Sequence, residues 1–279
     1  MTGASTTIEA PSGKDRPDEN FPVGSWLIAR RLRPHIHAFY AFARNADDIA
    51  DSPTLPSAEK IARLNIMEDV LRGRRTDGSP TATALRASLA QTGVTPTHAQ
   101  DLLHAFRQDS LENRTATWPA LMDYCRYSAM PVGRYVLDLH DESPDTWPHS
   151  DALCASLQIL NHLQDCATDF EELDRCYLPN DLLAGAGATH ADLRAASESP
   201  ALRRVFSVLL HHCAELNRAA AGLPREVRDT RLRLECSVIV SLARRLTTRL
   251  RRYDPLAMRV KLSKTDALFS AVGALRWIR

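Results

Sequence analysis

The chain is poor in glycine, with 11 in 279 residues, and poorer still in lysine, with only Lys14, Lys60, Lys261 and Lys264. So little glycine excludes glycine-rich repeats and loop-dominated architectures. None of the six cysteines (Cys125, Cys154, Cys166, Cys176, Cys213 and Cys236) belongs to a C-x-x-C pair. That removes zinc-ribbon and thioredoxin-type sites and predicts reduced, buried thiols in a cytosolic protein. A charge excess is missing as well: 35 basic residues against 34 acidic leave a formal charge of +1. The chain is therefore no electrostatic sink, and no nucleic-acid partner is expected. No run approaches the ~18 consecutive apolar residues of a membrane span. A basic start followed by an apolar run is absent too, so no secretory signal is expected.

What is present points to helix. Alanine (38) and leucine (36) dominate, and both lead the helix-propensity scale. Of the 35 basic residues 31 are arginine; a GC-rich genome gives that bias, and the guanidinium fork also suits phosphate oxygens. Residues 1–19 are polar and rich in Gly, Pro, Ser and Thr, and read as a flexible tail. Beyond them apolar residues recur at helical spacing and no segment alternates as a strand. Helices are predicted at about 23–31, 34–51, 57–71, 81–91, 96–112, 117–140, 150–174, 200–221, 225–253 and 265–278, with a loop over 175–190. Pro34 suits a first helical turn, Pro131 and Gly133 predict a break inside 117–140, and Ser150 or Asp151 is the expected N-cap of the seventh long segment. With no repeat and no separating linker, residues 20–279 read as one all-α domain.

Two acidic stripes stand out. Asp47 and Asp51 are i,i+4 neighbours on one helix face, with Asp48 beside them and Arg44, Tyr40 and His37 continuing the stripe backwards. Like charges so spaced cost a helix about 0.2–0.5 kcal/mol, a penalty that a divalent cation reverses. More than a hundred residues later Gln158, Asn161, Asp165 and Asp169 follow at steps of three, four and four. Each stripe alone is also what a solvated helix face looks like. Together, in an all-α chain, they predict a hard-cation site: Mg²⁺ takes oxygen ligands and combines one or two carboxylates with waters and substrate phosphate. Two such helices face to face would hold more than one Mg²⁺ around a diphosphate leaving group. No H-E-x-x-H and no E-x-x-H pair of the di-iron type occurs.

In four segments the sequence resembles the squalene/phytoene synthase family of head-to-head prenyl-diphosphate enzymes. They are Tyr40-Ala-Phe-Ala-Arg44-Asn-Ala-Asp47-Asp48-Ile-Ala-Asp51, Asp123-Tyr124-Cys-Arg-Tyr-Ser128-Ala-Met-Pro131-Val-Gly133, Gln158-Ile-Leu-Asn161-His-Leu-Gln-Asp165-Cys-Ala-Thr-Asp169 and Arg175-Cys-Tyr177-Leu-Pro179. The resemblance implies an isoprenoid-synthase-type helical bundle around a central cavity. It implies that Asp47, Asp51, Asp165 and Asp169 hold Mg²⁺, assisted by Asn161, Gln158 and Asp48, and that Arg44 and Tyr40 contact the diphosphate. Tyr124 would lie near the reacting carbons, where its ring face suits a carbocation. Phe21 would contact substrate, Ser128 and Gly133 would lie on the cavity wall, and Tyr253 and Arg259 would stand at the mouth.

Glu19-Asn-Phe21-Pro-Val-Gly-Ser25, Met130-Pro-Val-Gly-Arg134 and Tyr253-Asp-Pro-Leu256 resemble the bacterial hydroxysqualene-forming branch of that family. The branch implies ionisation of presqualene diphosphate, rearrangement of the cyclopropyl cation and capture by water, with Tyr124, Tyr127, Asn161 and His37 as candidates to place that water. No NADPH is expected; Gly185-Ala-Gly187 lacks the third glycine of a dinucleotide fingerprint. Three other readings stand beside it: a transferase condensing two farnesyl diphosphates, a non-enzymatic relative serving assembly, and a phosphohydrolase suggested by His140-Asp141. The non-enzymatic relatives tend to lose the aspartates, whereas all four are here. The expected location is the cytoplasm or the inner face of the membrane, with neighbouring hopanoid-pathway enzymes as associates. The segment Asp266–Arg279 is amphipathic through Leu268, Phe269, Val272, Leu275 and Trp277. It is read first as packing on the bundle and second as an interfacial contact.

Overall fold

The structure is a computed structural model and describes residues 7–9 and 27–275. Phe21, the Glu19–Ser25 segment, Trp277 and residues 23–26 of the first expected helix lie outside the described residues; residues 27–31 form turns with no helix.

Helix α1 (Arg33–Asp51) places Pro34 in its first turn, as expected, and buries Ile36, Phe39, Phe42, Ala46 and Ile49 along one face. That face packs against α3 (Pro80–Thr92) and α4 (Thr97–Asp109), with α2 (Ser57–Leu71) closing a first core around Phe42, Leu64, Met67 and Leu102. A second core is built by α5 (Trp118–Ser128), α7 (Trp147–Leu173), α9 (Pro200–Ala220) and α11 (Thr230–Arg252). Between them, α6 (Met130–Leu139) supplies Tyr135 to the first core and Leu137 to the second. The remaining helices are the short α8 (Asn180–Ala186) and α10 (Leu223–Glu226), and α12 (Lys264–Ala274), which lies on α11. No sheet forms among the described residues; Arg114 and Cys176 share one isolated parallel bridge.

A buried polar thread ties three long helices together. Ser156 on α7 donates to Asn217 Oδ1 on α9 at 2.9 Å, and Asn217 Nδ2 donates to Thr247 Oγ1 on α11 at 2.9 Å. Such groups must find partners when buried, so the thread fixes how the helices slide against one another.

The break expected inside 117–140 is present and falls at Ala129, with φ −125° and ψ −47°, just ahead of Pro131. Pro131 lies in the first turn of α6, where a missing N–H breaks no helical bond. Two other expectations need correction. Helix α7 starts at Trp147 after a short 3-10 turn, with Pro148 in its first turn. Ser150 is therefore buried within the helix, and Asp151 accepts from Arg134 Nε and Nη2 at 2.8 and 2.5 Å instead of capping. The expected 175–190 loop contains α8, closed by Gly187 at φ +69°. The cysteines are free, and all except the half-buried Cys154 are buried. No helix among the described residues is long and apolar enough to cross a membrane.

Candidate active site

The first stripe occupies the last turn of α1. Asp47, Asp48 and Asp51 there oppose the negative end of the helix dipole as well as one another. No cation stands in that turn, so the compensation comes from elsewhere. Lys60 Nζ donates to the Ala50 carbonyl at 2.7 Å, and Arg175 Nη2 donates to the same oxygen at 2.9 Å. Arg175 Nη1 meets Asp51 Oδ1 at 2.5 Å. Arg44 Nη1 reaches Asp47 Oδ2 at 3.3 Å, while its Nε lies 3.5 Å from Asp48 Oδ1 and makes no hydrogen bond.

Arg175 is only 6% exposed, and its position is set by the end of α7. Asp174 takes a left-handed conformation there (φ 51°), which aspartate tolerates better than most residues. Its carboxylate accepts from Arg114 Nη2 at 2.6 Å and from Asn113 Nδ2 at 2.9 Å. Turned back in this way, the chain delivers Arg175 across to α1.

The second stripe, Asn161, Asp165 and Asp169, lies on α7 and faces the first. The two stripes feel one another's charge. Asp169 is pushed up to about 7 by burial first, then by the charges of Asp165 and Asp51, against the opposing pull of Arg175. Asp47 is also raised, by burial and then by Asp51. Asp165 is raised by burial and eased by Arg259 and Lys261. Arg259 is thus near enough for its charge to act on Asp165. Tyr253 stands exposed at the end of α11 and does not line the cavity described below.

A cavity of about 460 Å³ opens between α1, α6, α7 and α11. Tyr40, Arg44, Asp47 and Gln158 line one end, and the walls are apolar: Phe39, Phe106, Val136, Leu153, Leu157 and Ile239 among them. The other end reaches Ser150, eight residues before Gln158 and so about 12 Å down the axis of α7. There Cys154, Glu235 and Cys236 join the lining. Gly133 lies on the wall, and a Cβ on it would stand 2.3 Å from Ser150 Oγ and 2.7 Å from Cys154 Sγ. Its missing side chain makes room for α7.

Outside this lining, and close enough to the first stripe for the charge of Asp109 to act on Asp47, lies a cluster that the sequence stripes did not reveal. Asp109, the last residue of α4, accepts from Tyr124 Oη and from Tyr177 Oη, both at 2.9 Å, one on each carboxylate oxygen. His162 stacks on Tyr177 with ring centroids 3.7 Å apart and accepts from Gln158 Nε2 at 3.2 Å. Burial, and then Arg175, push His162 down to about 3, so it is a neutral imidazole. Both phenols are pushed up by burial and by Asp109, and stay protonated. Of the other candidates to place a water, Tyr127 packs its ring on His104 at 4.4 Å. Ser128, expected on the cavity wall, does not line the cavity, and its Oγ is buried without a partner.

Among the described residues no three His, Cys, Asp or Glu side chains meet closely enough to enclose one ion. The acids come as facing pairs instead. Hard oxygen donors in pairs suit Mg²⁺, which fills its remaining positions with water and phosphate. The raised proton affinities record negative charge that the protein itself leaves under-compensated, and Arg44 Nε has a free donor. The residues fit a cation–diphosphate assembly.

Those proton affinities have a consequence for the metal-free protein. Asp109, pushed up to about 6 by burial, and Asp169, at about 7, hold protons in the folded state that the unfolded chain releases near its ordinary value of 3.8. Stability from these groups is full below pH 4 and is lost as pH rises through 6 and 7. In EDTA the melting temperature is expected to fall by a few degrees between pH 5 and pH 8. Mg²⁺ with inorganic diphosphate is expected to restore it at pH 8; a midpoint that rises with pH would refute the assignment.

An all-α shell around an apolar cavity, with Arg44 and Asp47 at one end, has the form of an enzyme for a long apolar chain carrying an anionic head. The profile of the squalene/phytoene synthase family matches residues 14–266. The hydroxysqualene synthase of Rhodopseudomonas palustris is 48% identical over 275 residues, 99% of this chain and 93% of that one. The hydroxysqualene synthase of Sinorhizobium fredii is 46% identical over 92% of this chain and 88% of its own length. Among solved structures, squalene synthase HpnC from Alicyclobacillus acidocaldarius superposes with a TM-score of 0.73 at 31% identity, covering 82% of this chain and 87% of that one. The chain belongs to the squalene/phytoene synthase family, and family membership points to a divalent-metal-dependent enzyme.

Proposed function

We propose that this chain converts presqualene diphosphate to hydroxysqualene with release of diphosphate. The observation that carries the proposal is the apolar cavity with Arg44, Asp47 and Gln158 at one end, in a chain 48% identical to a hydroxysqualene synthase along 99% of its length. Bound Mg²⁺, held by Asp47 and Asp51 from one helix and Asp165 and Asp169 from the other with Asn161 and Asp48 assisting, would neutralise the leaving diphosphate. Arg44 donates to diphosphate oxygens through a charge-assisted fork, with Tyr40 beside it. The carbon–oxygen bond breaks and its electron pair leaves with the diphosphate. Tyr124, held by Asp109, presents a neutral phenol and a ring face to the resulting cation. The apolar walls exclude all but a placed water. One water forms the new carbon–oxygen bond and gives up a proton, so the balance needs no reductant. The reaction is assigned to the cytoplasm, with the enzymes that make presqualene diphosphate and consume hydroxysqualene as its neighbours.

The test is incubation of the purified protein with Mg²⁺ and either presqualene diphosphate or farnesyl diphosphate, without NADPH. Hydroxysqualene from the first and no product from the second is the expected result. Presqualene diphosphate formed from farnesyl diphosphate would establish the transferase reading instead.

A further inference from the structure

Helix α12 turns the wrong way for a helix that merely packs. Its buried residues are Asp266, Ser270 and Ala274, while Leu268, Phe269, Val272 and Leu275 are 56–62% exposed. Met258, in the segment leading to α12, is exposed as well. The expected packing of the large apolar side on the bundle is therefore reversed. Three large apolar side chains on one short helix and a fourth on its C-cap residue form a ridge, where isolated exposed leucines would need no explanation.

The surroundings of the ridge are strongly basic. Eight of the 23 residues from 244 to 266 are Arg or Lys, against Asp254 and Asp266. Arg245 and Arg249 hold Asp266 at 3.3 and 2.6 Å, so that acid is already matched, and Arg245 lies over the Phe269 ring, 5.6 Å from its centroid. Arg244, Arg245, Arg249 and Thr248 line a groove of about 520 Å³ between α11 and α12, with Phe269 at its edge. The whole chain carries only +1, so this positive charge is local.

We propose that the α12 ridge and the cations around it form a docking face for a bilayer surface rich in anionic phospholipid. Apolar side chains would enter the acyl boundary and arginines and lysines would meet headgroup phosphates, the arrangement of an interfacial helix. A second copy of this chain is a poorer occupant. A two-fold contact would set the same basic surface against itself. The placement also serves the reaction. Helix α11 lines the substrate cavity with Leu232, Cys236 and Ile239, and lines the α12 groove with Val240, Ser241 and Arg244. One helix thus separates the cavity from the docking face. Lys261, whose charge acts on Asp165, precedes the first residue of α12 by three, at most about 11 Å. The mouth of the site would open beside the bilayer, where a water-insoluble product has to go. The proposal does not depend on which prenyl diphosphate is the substrate.

The test is co-flotation of the full-length protein with vesicles of phosphatidylcholine alone or of phosphatidylcholine and phosphatidylglycerol in equal parts. Partitioning at least tenfold stronger onto the anionic vesicles, and weakened by salt, is expected. The Phe269→Glu/Val272→Glu double variant is expected to lose at least tenfold in that partitioning, with turnover of detergent-dispersed substrate unchanged. Val208→Glu, on α9, controls for added charge at an exposed site and should bind like the parent. Equal binding to both vesicle types, no binding, or full binding by the double variant would overturn the proposal. So would a parent dimer that the double variant converts to monomers, because the ridge would then be covered by a second copy.

Discussion

Replacing Asp165 with asparagine is expected to lower kcat on the order of 10³-fold while the protein becomes slightly more stable. The two effects have one cause. Asp165 is raised by burial and only partly relieved by Arg259 and Lys261, so an ionised carboxylate there costs the metal-free fold free energy. Asparagine has the same shape and removes the charge. It also removes the ligand strength that a cation needs. Diphosphate release measured against Mg²⁺ concentration, with thermal melts in EDTA, separates the outcomes. Lost turnover with an equal or higher melting temperature assigns Asp165 to the cation site. Lost turnover with a lower melting temperature would assign it to the fold, and near-normal turnover would remove it from the site. Asp51→Asn is expected to be inactive too, but it tests two things at once, because Asp51 also receives Arg175 at 2.5 Å.

The elements legible in the sequence are those whose signal is local. Asp47 and Asp51 share a face because four residues span one helical turn, and Asn161, Asp165 and Asp169 do so for the same reason. Periodicity and proline positions gave α1, α7 and α9 to within three residues, while α11 begins five residues later than expected, after α10 and a short break. What periodicity cannot report is which face meets which neighbour. Asp109 is an isolated acid at the end of α4, and only the tertiary fold brings Tyr124 and Tyr177 to its two oxygens. Glu235 reads as one polar residue on an amphipathic helix, yet it lies in the cavity wall. Helix α12 shows the same limit: its sequence has an apolar side, but covering that side is a property of the bundle. The Arg175-Cys-Tyr177 segment was visible through its family resemblance, with no local pattern to say what either side chain holds.

Arg175→Ala is the substitution expected to damage both fold and activity. One guanidinium serves Asp51 Oδ1 and the Ala50 carbonyl, and both acceptors belong to the end of α1. Its removal leaves a carboxylate and a buried carbonyl under-matched and frees α1 from the turn after α7. A loss of about 3 kcal/mol is expected, read as a lower denaturant midpoint at unchanged slope. Arg175→Lys separates the structural part from the catalytic part. An ammonium keeps the charge but cannot span two acceptors as the planar fork does, so partial recovery of stability is expected. The charge matters separately, because Arg175 holds down both Asp109 and Asp169. Without it these carboxylates ionise only at higher pH. The acid limb of kcat/KM is therefore expected to move to higher pH in Arg175→Ala, and to stay near its original position in Arg175→Lys. An acid limb that remains in place in the alanine variant would reduce Arg175 to a structural clamp. A limb that moves would show that the residue tying the two acidic helices together also sets the pH at which they carry charge.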